Sequence, residues 1–74
     1  MVKPPDVSTF RYAKRSLMAF LDGEQSLDWI VGVIGSSGIH GERLAEIFNE
    51  LRDYPGDPAR YEQALEACRE KGWL

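Results

Sequence analysis

Apolar residues return along this chain at helical intervals, in four separate blocks. Phe10, Ala13, Leu17 and Leu21 fall at i, i+3, i+7 and i+11, one face of a helix, and Phe20 widens that face. The spacing predicts a helix over 7–22, capped by Asp6 and ended near Gly23, because glycine reaches the left-handed conformation cheaply. Leu44, Ile47, Phe48 and Leu51 repeat the pattern over 41–53, with acids on the other faces. A turn, YPGDP, follows. Asp57 then caps a last helix over 58–71 with Pro58 at its first position, a favoured pairing. Tyr61, Ala64, Leu65 and Cys68 form its apolar face, and Gly72 ends it so that Trp73 and Leu74 fold back onto the core.

The remaining block, 25–35, reads two ways. Leu27, Ile30, Val31 and Ile34 fit a helix, whereas Trp29, Val31 and Val33 fit the alternation of a strand rich in β-branched residues. No other segment supplies a partner strand, and a lone strand leaves its backbone polar groups unpaired. The helix is therefore expected, apolar most of the way round and central. Gly32 is expected to let a neighbour approach closely. The expected fold is all-α: an extended tail over 1–5, and over 6–74 a single compact bundle of about four short helices. Leu17, Leu27, Ile30, Ile34, Leu44, Ile47, Phe48, Leu51 and Leu65 are the expected core.

Composition narrows the chemistry. The chain has 74 residues, enough for one small domain, and its 43% hydrophobic content is that of a folded one. Nearly every apolar side chain is needed for packing, which leaves little room for a substrate cavity. One cysteine (Cys68) and one histidine (His40) supply neither a disulfide nor the ligands of a structural zinc. No apolar run reaches the roughly 18–20 residues that span a bilayer, and MVKPPD leads into no apolar segment of the kind a signal peptide needs. A cytoplasmic protein without metal or cofactor is expected.

The stretch WIVGVIGSSGIHGERL invites a nucleotide reading, which its spacing does not support. A phosphate-cradling loop needs GxxxxGK before Ser or Thr, and the fifth position after Gly35 is His40. The dinucleotide fingerprint GxGxxG fails too, because the spacing here is GxxGxxG and no βαβ unit is available. The stretch reads instead as a connection. Gly35 or Gly38 ends the second helix, His40 or Ser37 caps the third, and Ile39 staples onto Leu44.

His40 and Cys68 do not make a nucleophilic pair, since Cys68 lies on an apolar face where cysteine acts as a small hydrophobe. Glu46 with Glu50, and Glu62 with Glu66, are i, i+4 pairs on polar faces and read as solvated surface. The second and third helices resemble a helix-turn-helix in outline. However, Glu42, Glu46, Glu50 and Asp53 outweigh Arg43 and Arg52 on the would-be reading helix, and DNA repels such a surface. RYEQALEACREKG looks like part of a tetratricopeptide helix, but nothing else in the chain repeats at that period.

Charge asymmetry is the informative feature. Residues 1–21 hold Lys3, Arg11, Lys14 and Arg15 against Asp6, whereas the rest of the chain is acidic enough to bring the whole to −3. Arg11, Lys14 and Arg15 lie opposite the apolar face of the first helix, with Tyr12 beside them and Pro4 and Pro5 just upstream. Lys3, Pro4, Pro5, Arg11, Tyr12, Lys14 and Arg15 form the expected partner-binding surface, suited to an acidic patch on another protein. Trp29 and Trp73, with Val33, are secondary apolar candidates. The alternatives are a helical nucleic-acid-binding regulator and a helical oligomerisation subunit.

In size and make-up, a basic KPPD tail and RYAKR helix on a compact acidic body, the chain resembles small phage-encoded host-takeover proteins. Some of these bind host RNA polymerase and alter transcription. The resemblance implies a non-enzymatic inhibitor or modulator in the host cytoplasm, its tail and first helix against the polymerase.

Overall fold

A computed structural model describes residues 7–74 as four helices and no strand: α1 (Val7–Leu21), α2 (Leu27–Ser37), α3 (Glu42–Glu50) and α4 (Pro58–Glu70). The expected tail, with Lys3, Pro4, Pro5 and the Asp6 cap, lies outside the described residues. α1 packs against each of the other three helices, and α2 packs on α4. The core they enclose holds Ala13, Leu17, Phe20, Leu21, Ile30, Ile34, Ile39, Leu44, Ile47, Phe48, Leu51, Ala64 and Cys68.

The helix ends follow local chemistry. At the end of α1, the Glu24 amide donates to Ala19 O (3.0 Å) and the Gly23 amide to Phe20 O (3.0 Å), with Gly23 at φ 83°. This is a Schellman stop, in which glycine takes a left-handed turn so that loose carbonyls find donors. α4 ends the same way: Trp73 N–H donates to Cys68 O (2.9 Å) and Gly72 N–H to Arg69 O (3.0 Å). Ser26 caps α2 by accepting from the Trp29 amide at 3.1 Å, and Asp57 caps α4 by accepting from the Ala59 amide at 2.9 Å.

Several expectations are corrected. Leu27 is not in the core: it is the first residue of α2, continuous with the exposed stretch from Asp22 to Asp28, and it is 37% exposed. Leu65 is only half-buried against the core. Gly32 receives no neighbour, because it sits two residues from both Ile30 and Ile34, on the opposite side of α2, and faces open space. Within α2 it is Gly35 that meets a neighbour: a Cβ there would lie 3.1 Å from the Trp73 indole. Gly35 therefore lies inside α2, and Gly38, at φ 74°, ends it. Neither His40 nor Ser37 caps α3. Gly41 occupies that position without a side-chain cap, and its amide donates to Trp73 O. His40 instead stacks on Trp73, ring centroids 4.8 Å apart, and the Ser37 hydroxyl accepts from the Ile39 amide. The third helix stops at Glu50, and residues 51–53 form a turn.

The turn before α4 is fastened to the end of α1. The Asp57 amide donates to Leu21 O (3.1 Å), and the Tyr54 hydroxyl donates to the Asp22 carboxylate, 2.9 and 3.0 Å from its two oxygens. Arg60 donates to Phe20 O and Gln25 O while its guanidinium lies over the Phe20 ring. Leu21 O, left open at the end of α1, thus gains its donor from the turn before α4, and Phe20 O, already bonded by Gly23, gains a second donor from 40 residues away.

Candidate functional site

The periodicity that buries Ala13, Leu17 and Phe20 turns another side of α1 outward. Ser8, Arg11, Tyr12 and Arg15 fall at i, i+3, i+4 and i+7 on that side, and all four are exposed. Tyr12 is 58% exposed, the most open of the large apolar side chains among the described residues. Its backbone is held: the Ser16 hydroxyl donates to Tyr12 O at 2.8 Å, and Ser16 is itself buried. The helix therefore presents an aromatic ring on the same side as two exposed arginines, with no ion-pair partner for Arg11 or Arg15 among the described residues. Helix presentation costs such a surface little ordering entropy on binding.

The structure divides the expected basic cluster. Lys14 turns toward α3 and pairs with Glu50 at 2.7 Å, so its charge is largely satisfied within the chain. Arg43 of α3 joins the neighbourhood instead, its guanidinium 4.8 Å from the centroid of the Phe10 ring. No sequence signal links Arg43 to Phe10, because the contact depends on how α3 docks beside α1. Lys3, Pro4 and Pro5 lie outside the described residues. Of the secondary candidates, Trp29, Val33 and Trp73 are half-buried against the core and not freely exposed. Among the described residues, the large apolar groups that are exposed outright are Tyr12, Leu27 and Leu74.

The remaining chemistry-bearing groups are dispersed. Cys68 is 1% exposed, and burial pushes its thiol up to about 11, the reverse of the depressed pKa that a reactive cysteine needs. Tyr54 is held above its ordinary pKa, first by its hydrogen bond to Asp22. Among the described residues, no three His, Cys, Asp or Glu side chains gather as metal ligands. No helix among them is long and apolar enough to cross a membrane. No protein-family model matches the chain, and neither a curated protein nor a solved structure matches it.

Proposed function

We propose that this chain is a small non-enzymatic binding module that docks on an acidic patch of a larger protein and modulates it. The observation that carries the reading is the outward face of α1, where exposed Tyr12 shares one side with exposed Arg11 and Arg15 on an otherwise acidic domain. Tyr and Arg are the residue types that concentrate binding energy at protein interfaces. An aromatic ring supplies apolar area, and the two guanidinium forks pair with carboxylates in bidentate geometry. Lys14 contributes less than its neighbours, because Glu50 already holds it. The tail residues Lys3, Pro4 and Pro5 are counted as partner contacts in this reading and lie outside the described residues. The exposed acids Glu42, Glu46 and Glu50 of α3 count against duplex DNA as the ligand.

The resemblance to small phage-encoded takeover proteins makes host RNA polymerase, in the bacterial cytoplasm, the first partner to test. Purified chain is titrated against the polymerase at two salt concentrations, as wild type and as the Arg11→Glu/Arg15→Glu variant. A stoichiometric complex that weakens with salt and is lost in the variant supports the reading. Equal binding by both chains removes the α1 face as the docking surface. No complex with the polymerase discards that partner.

A further inference from the structure

A second surface lies away from the outward face of α1, between α3 and α4. The two helices are bridged chiefly by side chains: the Tyr61 hydroxyl donates to Phe48 O at 2.9 Å, and the Tyr61 ring meets Phe48 edge-on at 5.6 Å. Beside this bridge runs an open groove of about 480 Å³, lined by Ala45, Phe48, Asn49, Arg52, Tyr61, Leu65, Arg69 and Leu74. Half-buried Leu65 and 40% exposed Leu74 give it an apolar lining over a floor formed by buried Phe48. Its only charged lining groups are Arg52 and Arg69, exposed and without ion-pair partners among the described residues. Arg52 and Tyr61 also line a second cleft, of about 160 Å³, beside Leu21, Leu51, Tyr54 and Pro58.

We infer that this groove receives an amphipathic helical segment of another protein, with apolar anchors and flanking Asp or Glu. An apolar lining between two helices is the shape into which a helix lays its i, i+3, i+4 and i+7 side chains. The occupant's acids are dictated by Arg52 and Arg69, which would otherwise be brought against a partner with no counter-charge. Asp57 and Glu62 line the second cleft beside Arg52, whereas the groove itself holds no acidic side chain, and this difference sets the direction of the bound helix. A second copy of this chain does not supply such a helix, because the main apolar faces of its own four helices are already buried. The groove is distinct from the α1 face and does not depend on it.

The test is selection of display-library peptides of about 16 residues, long enough for four helical turns, on the intact wild-type chain. Affinities of the selected peptides are then measured on two variants, Arg52→Glu/Arg69→Glu and Arg11→Glu/Arg15→Glu. The expected peptides carry Leu, Ile or Phe at helical spacing together with Asp or Glu, and shift the amides of Ala45, Asn49, Leu65 and Leu74. Their affinity should fall at least about tenfold on the Arg52/Arg69 variant and change by less than about twofold on the Arg11/Arg15 variant. Both arginines are exposed, so far-UV circular dichroism should be unchanged; should the glutamate pair unfold, Arg52→Gln/Arg69→Gln must still weaken binding. Failure to select any peptide overturns the inference. So do peptides without acids, and binding indifferent to Arg52 and Arg69. Binding lost only on the Arg11/Arg15 variant overturns it as well, and leaves the proposed α1 surface standing.

Discussion

Two glycines, neither of which has a positive φ, should respond to alanine with opposite signs. Gly32 is in the middle of α2, exposed, with nothing within 4 Å of an added Cβ and no positive φ. Alanine there gains the helix propensity that glycine forgoes, about 0.5–1 kcal/mol. Gly56 also lacks a positive φ, but a Cβ on it would lie 2.8 Å from Leu21 Cβ and 3.0 Å from the Leu21 carbonyl oxygen. That oxygen accepts the Asp57 amide, so the turn cannot retreat without loosening the hydrogen bond. Overpacking of this kind costs about 1–3 kcal/mol, and loss of the bond adds about 0.5–1.5 kcal/mol. A domain of this length has roughly 4–11 kcal/mol of stability in total. With a urea slope near 1 kcal/mol per molar, the Gly32→Ala midpoint should rise by about 0.5–1 M. The Gly56→Ala midpoint should fall by about 1 M or more. If both variants shift the same way, or Gly32→Ala loses stability, the placement of α2 and of the 54–58 turn is wrong.

Other consequences follow from the core and the surface. Phe48, 3% exposed and in edge contact with Tyr61, should cost about 3–5 kcal/mol on replacement by alanine, enough to unfold much of the population in a urea or thermal melt. Cys68 should react with a disulfide reagent at pH 8 at least about a hundredfold more slowly in the folded chain than in urea. Because burial raises its thiol from 9.0 to about 11, the unfolded chain releases this proton first. Its contribution to stability is complete below pH 9 and declines as pH rises toward 11, a slope that Cys68→Ala should remove. The Lys14–Glu50 pair is partly exposed, so Lys14→Ala should change stability by less than about 1 kcal/mol. A larger loss would mean that the pair holds α3 onto α1.

The four helices were legible because their boundaries rest on local chemistry. Asp57–Pro58, Gly23 and Gly72 act on neighbours a few residues away, and the apolar period of α1 and α3 is unbroken. Segment 25–35 was ambiguous by composition and was decided by the lack of a partner strand. What the sequence concealed was contact between distant elements. Gly35 and Gly32 differ only in which one Trp73 reaches, and the fate of Lys14 depends on Glu50, 36 residues away. Arg60, which no pattern in the sequence singles out, bonds back to the end of α1. The same limit applies to the surface: Arg11, Tyr12 and Arg15 were visible from helical spacing, whereas the Arg52–Arg69 groove exists only because α3 and α4 stand apart.

The docking claim is tested most directly by placing a photo-crosslinking benzoylphenylalanine at Tyr12, and at exposed Gln63 on α4 as the control. Irradiation in bacterial lysate at low salt should yield one dominant adduct from position 12, to a larger protein and within a segment rich in Asp and Glu. High salt should abolish it, and Gln63 should give none. An adduct from position 63 with none from position 12, or position-12 adducts indifferent to salt, would contradict docking through the α1 face.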